Sequence, residues 1–179
     1  MSDNRVKTIK GWRDMSGSPD GRAYVTGIVK EIEQSKILAA STDYIAEDVL
    51  ADSSATVWVF HDMAAYKGGY GRIEKAIALC STTALTPQLT LNLFNKKPTS
   101  TLTDNAANTS VVTADRRYYQ GRVDFPAMGD LGGNSESIAK STTANLPLDF
   151  KCADGEDSLY GVLATRDAIT GEAANMEIY

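Results

Sequence analysis

Between Leu89 and Phe94 the chain reads L-T-L-N-L-F, with Thr90 and Asn92 separating Leu89, Leu91 and Leu93. Side chains two apart share a face of a strand, so this spacing writes one apolar face and one polar face. Pro87 stands just ahead, where its missing N–H does least harm to a ladder. A long polar loop, Lys96 to Ser110, follows. Strand, sharp punctuation, strand: the rest of the chain repeats this format.

Thr56 to Phe60 is unbroken β-branched and aromatic sequence, which predicts a central strand covered on both faces. Tyr118 to Phe125 alternates, setting Tyr119, Val123 and Phe125 against Tyr118, Gln120, Arg122 and Asp124. Leu146, Leu148, Phe150 and Cys152 share a face, and Pro147 marks an edge or bulged strand. Leu159 to Thr165 reads as a buried strand. Ala23–Ile32, Tyr44–Leu50, Ile73–Cys80 and Asn175–Tyr179 supply further strands, with a short one at Ser137–Lys140 and a single helical turn at Val111–Arg117. Asp52-Ser53-Ser54 and Asp154-Gly155-Glu156-Asp157 turn the chain. With no alternation of strands and helices, the class is all-β. About eight strands with uneven connections suit a jelly-roll-like β-sandwich over residues 23–179.

Residues 1–22 form an N-terminal arm, punctuated by Gly11, Ser16, Gly17, Ser18, Pro19, Asp20 and Gly21. Residues 1–40 hold seven Lys/Arg against five Asp/Glu, a net of +2, which leaves −7 for the remainder. An exposed Trp is unusual in a purely floppy tail; a frayed terminus and an arm that docks on a neighbouring subunit and orders there are both open. Trp12, Arg13, Met15 and Tyr24 are its expected partner contacts.

The formal net charge of −5 lacks the basic footprint that broad nucleic-acid binding requires. The apolar runs are too short to cross a bilayer. M-S-D-N-R-V-K lacks the apolar core of a secretory leader, so synthesis in the cytoplasm is expected. Cys80 and Cys152 read as two small buried hydrophobes; a disulfide between them is the alternative, and spacing alone does not decide it.

No catalytic constellation is legible. His61 is the only imidazole, and no G-x-S-x-G elbow occurs. Lys67-Gly68-Gly69-Tyr70-Gly71 lacks the Gly-Lys-Ser/Thr ending of a phosphate loop. The Asp and Asn residues of Leu102–Ser110 suit turn capping better than calcium ligation. No metal or cofactor is expected. Tyr66, Tyr70, Tyr118 and Tyr160 could stack on sugar rings; ordinary cross-strand packing is the competing account.

The string T-A-L-T-P-Q-L-T-L-N-L-F-N-x-x-P-T-S-x-L-x-D-N, from Thr83 to Asn105, resembles a family of proteins of tailed bacteriophages. The resemblance continues through R-V-D-F-P-A-M-G-D-L-G, N-L-P-L-D-F-K-C-A and L-Y-G-V-L-A-T-R-D-A, and spans about Asp43 to Tyr179. It implies a virion component, a head decoration or cement protein on a jelly-roll-like β-sandwich. It further implies the major capsid protein as partner, a homotrimer on the head surface, and no enzymatic activity. The shared positions Pro87, Asn95, Pro98, Asp104, Asn105, Pro126 and Gly161 read as turns and core. Two stretches depart: Y-I-A-E-D-V, where a Gly is expected near Glu47, and residues 1–22. A carbohydrate-binding module on a phage head or tail is the second expectation.

Overall fold

The computed structural model describes residues 5–8, 11–14, 29–39, 43–170 and 177–178. The chain divides into two compact units, Met1–Lys30 and Glu31–Tyr179. In the first, β1 (Arg5–Thr8) and β2 (Gly11–Asp14) form an antiparallel hairpin that sets Lys7 opposite Trp12 and Val6 opposite Arg13. Two paired four-residue strands are marginal in water on their own, which is why such hairpins look for a partner.

The second unit is all-β. Its strands are β3 (Lys36–Ile37), β4 (Trp58–Phe60), β5 (Tyr70–Ile73), β6 (Ile77–Cys80), β7 (Leu89–Phe94), β8 (Tyr119–Phe125), β9 (Gly129–Asp130), β10 (Ser135–Ile138), β11 (Leu148–Lys151), β12 (Leu159–Thr165) and β13 (Glu177–Ile178). A 3₁₀ helix covers Thr113–Tyr118, where a helical turn was expected. Among the described residues there are thus more and shorter strands than the expected eight. They form antiparallel sheets in the orders β4-β12-β7-β8 and β3-β13-β6-β10-β9, plus the ribbon β11-β5.

The leucine alternation does what its period requires. Leu89 and Leu93 are buried in the main core, with Leu91 packed against it. That core also takes Trp58, Val123, Phe125 and Leu163 from the four-stranded sheet and Ala78, Cys80 and Ile178 from the five-stranded one. The two sheets therefore sandwich it. The opposite face of β7 is covered as well. Phe94 joins Val49, Ala51 and Val162 in a second cluster, while Thr90 and Asn92 are buried. The Thr90 hydroxyl donates to Asp124 at 2.9 Å, which makes its burial affordable.

Several expectations are corrected. β4 is an edge strand and not a central one, because β12 pairs it on one side only. Its apolar character serves the main core through Trp58. Tyr119 lies apart from Val123 and Phe125. A register shift between Leu93 and Phe94 puts Gly121 opposite Leu93 and Tyr119 opposite Phe94, leaving Gln120 as the extra residue. That slip moves Tyr119 into the second cluster, its ring 5.5 Å from Phe94. Gly121 makes the bulge possible: its φ is +128°, and a Cβ there would lie 2.7 Å from the Leu148 side chain.

Tyr44–Leu50 is not a strand. Tyr44, Asp48 and Val49 make isolated bridges to Ile169, Ala107 and Ala164. Asp48 takes the Ile45 N–H at 2.8 Å, and Glu47 sits at φ +70°, so the segment turns. Ile73–Cys80 is split into β5 and β6. Of Ala23–Ile32, residues 29–32 carry no strand and the remainder lies outside the described residues, as do 175–176 and 179 of the last expected strand.

Candidate functional site

Trp12 and Arg13 fall on β2, across from Lys7 and Val6. Met15 and Tyr24 lie outside the described residues.

In the body, a groove of about 680 Å³ opens between Gln34–Ala39 and the stretch from Asp52 to His61. β3 and β4, each the end strand of its sheet, form its walls. Lys36 crosses the floor. Its ammonium is 2.7 Å from Asp52 and donates to the Thr56 carbonyl at 2.9 Å and to the Thr56 hydroxyl. It also lies 5.6 Å from the centroid of the Trp58 ring. The Lys36 side chain is 9% exposed, so these contacts replace the water it gave up. Burial raises the Asp52 pKa, but hydrogen bonds from Lys36 and Thr56 outweigh it and hold the carboxyl well below the usual range. Every donor of Lys36 is used within the fold. The arrangement ties two sheet edges together and presents neither a free amine nor a poised base.

His61 lines the same groove, its Nδ1 3.3 Å from the Ser158 hydroxyl, which lies 3.2 Å from the Asp157 carboxylate. These three types make a triad only when the acid orients the imidazole. Here the acid holds the serine. The acid–imidazole–serine order of a triad is therefore not the order of these contacts.

The four tyrosines do not gather. Tyr160 packs on the second cluster. Tyr118 is clamped by Lys96 and Arg117, at 4.9 and 5.0 Å from the ring centroid. Tyr66 and Tyr70 remain exposed, 65% and 69%. Tyr70 sits opposite Lys151, whose ammonium is 5.6 Å from the ring, and Arg72 sits opposite Asp149 with a two-point ion pair.

Cys80 and Cys152 are both free and buried, as small core hydrophobes should be. Burial pushes both thiols up, which removes thiolate character at neutral pH. Among the described residues, no group of three His, Cys, Asp or Glu side chains is placed to hold a metal ion.

The polar loop after β7 spends its side chains on closing itself. Asp104 accepts from the Tyr44 hydroxyl at 2.9 Å and the Ala51 N–H at 2.7 Å, fastening the loop to the segment that covers the second cluster. Asp115 accepts from the Thr99 N–H and hydroxyl and from the Ser100 N–H. The Asn95 amide donates to the Lys151 carbonyl at 3.0 Å. Sequence reasoning missed one consequence: this closure brings Lys96-Lys97 against Arg116-Arg117. Two dibasic pairs in an acidic chain are the signal that could have shown it. Searches for a related family, a related curated protein and a similar solved structure found no match.

Proposed function

We propose that this chain is a non-enzymatic structural protein of a tailed-bacteriophage virion. It decorates or cements the head, binding the major capsid protein on the outer surface as a homotrimer and stabilising the shell. The jelly-roll-like connection of strands belongs to the same reading. The observation that carries it is the use to which the resembling strings are put. Asn95 and Asp104 fasten loops, Leu89–Phe94 and Leu159–Thr165 are the two inner strands, and Gly161 lets Leu91 and Phe60 approach the backbone. A protein whose distinctive residues all hold shape works through its surface.

Charge supports the arm as the part that makes the contact. Met1–Lys30 holds six Lys/Arg against three Asp/Glu, whereas the body holds twelve against twenty. A basic arm on an acidic body suits an acidic shell surface. A standard interface buries about 1,600 Å² in total, and one contact of that size per copy, repeated over a shell, opposes internal pressure without any copy binding tightly. The test is uptake by empty heads of the source phage that lack this protein. The full chain should sediment with them to a fixed stoichiometry, and Trp12→Ala with Met15→Ala should weaken that uptake while the fold survives. Failure of the unaltered chain to sediment with heads would overturn the proposal.

A second reading, carbohydrate binding on the virion surface, rests on Tyr66 and Tyr70 beside the Arg72–Asp149 pair. It requires glycan binding that disappears in Tyr66→Ala with Tyr70→Ala.

A further inference from the structure

Charges of opposite sign stand side by side at one end of the four-stranded sheet. The register brings its strands to that end together: Phe60 opposite Leu159, Tyr160 opposite Phe94, and Phe94 opposite Tyr119. Past Phe94 the chain runs into Lys96 and Lys97, and it enters Tyr119 from Arg116 and Arg117; all four are exposed. The Asn95 N–H donates to the Tyr118 carbonyl at 2.8 Å, and Asp115 binds the Thr99 and Ser100 amides, so the two pairs are locked against each other. Asp115 is buried with its carboxylate occupied, and none of the four cations enters an ion pair among the described residues.

The neighbouring strand carries the opposite sign. The turn Asp154-Gly155-Glu156-Asp157 leads into β12, with Asp154 and Glu156 exposed. The Asp154 side chain is 96% exposed, and its contact with Lys151 is 3.7 Å, too long for a hydrogen bond. Tyr66 flanks this turn, because the Gly68 and Ala64 N–H groups donate to the Glu156 and Asp157 carbonyls.

We propose that this end of the sheet is a contact surface between copies of the chain. The basic half of one copy, Lys96, Lys97, Arg116 and Arg117, meets the acidic turn of another, about a two-fold axis. A two-fold axis in the contact plane, perpendicular to the line joining the halves, sets acid on base twice in one contact. The four cations have no ion-pair partner among the described residues, and a second copy brings an acidic turn to them. Tyr66 adds apolar area, and Tyr and Arg are the residues that anchor such contacts. A long polyanion fits less well: the Tyr118 ring already carries two cations, and the surrounding body is acidic. The inference is independent of the virion proposal, since it concerns the free protein.

Sedimentation velocity on the full chain in about 20 mM and about 500 mM NaCl tests it, because exposed charge pairs are screened across that range. The mass at low salt should be twice that at high salt. Lys96→Glu with Arg117→Glu, and separately Asp154→Lys with Glu156→Lys, should each abolish the doubling, and an equal mixture of the two should restore it. Far-ultraviolet spectra and thermal midpoints report the fold of each variant, and Lys96→Gln with Arg117→Gln replaces the first pair should it unfold. A mass that ignores salt, or a mixture of folded variants that fails to reassociate, overturns the proposal. Binding of heparin or duplex DNA in place of self-association would overturn it too.

Discussion

Asp115→Ala should cost about 2–4 kcal/mol, and Asp115→Asn only about 1 kcal/mol. Asp115 is 1% exposed, in the 3₁₀ helix that precedes β8, and accepts three hydrogen bonds: Thr99 N–H at 2.8 Å, Thr99 hydroxyl at 3.0 Å and Ser100 N–H at 3.2 Å. Alanine strands the Ser100 amide, which is 5% exposed, at about 1–3 kcal/mol, and removes two bonds to an exposed Thr99 worth about 1 kcal/mol together. Asparagine can keep its oxygen on the two amides and turn its NH₂ to the Thr99 hydroxyl, losing mainly the assistance of charge. For a body of this size the alanine variant should melt about 10 °C lower. Urea unfolding followed by the fluorescence of the two tryptophans measures both changes. If alanine costs under about 1 kcal/mol, the loop is not held by this carboxylate. If asparagine costs as much as alanine, the hydrogen-bond count is the wrong account and charge is the right one.

Three further outcomes follow from the geometry. Asp52→Asn should destabilise at neutral pH by weakening the tie to Lys36. Because the folded carboxyl is held below its unfolded value, the stabilisation is fully present above about pH 4 and fades as pH falls further, so variant and wild type should converge in acid unfolding. Glu47 occupies a left-handed φ of +70° and pairs with Arg166 at 2.8 Å. Glu47→Gly should therefore change stability by less than about 1 kcal/mol, and Glu47→Val should lose about 1–2 kcal/mol by chemical denaturation. Gly71→Ala would place a Cβ 2.2 Å from the Phe150 ring, and overpacking there should lower stability by about 2 kcal/mol or more in the same assay.

Elements whose faces differ in polarity were legible in the sequence. Leu89, Leu91 and Leu93 declare one face, and Leu146, Leu148, Phe150 and Cys152 declare another. Both free cysteines behaved as their apolar surroundings suggested. What stayed hidden depends on partners distant in sequence. Trp58-Val59-Phe60 looks the same whether one neighbour strand pairs it or two. The slip that turns Tyr119 over is set by Gly121 meeting Leu148, across 27 residues. Tyr44–Leu50 has strand composition, yet Asp48 bonds the Ile45 amide and Glu47 takes a conformation for which glycine is the usual marker. The groove was equally hidden, since nothing near Lys36 announces Asp52 and Thr56. The basic cluster could have been suspected from its two dibasic pairs, but only the Asn95–Tyr118 bond makes them neighbours.

The four-stranded sheet has unequal sides. On β8, Asn145 accepts the Asp124 N–H and donates to the Asp124 carbonyl. A side-chain amide thus occupies backbone positions that an incoming strand would need. No described strand covers the outer side of β4. A ribbon blunted on one side, with no described strand paired to the other, can accept one visitor and then has nothing left to offer. Stacking edge to edge would therefore end at a pair, so crowding many copies side by side would not seed a fibre through this sheet.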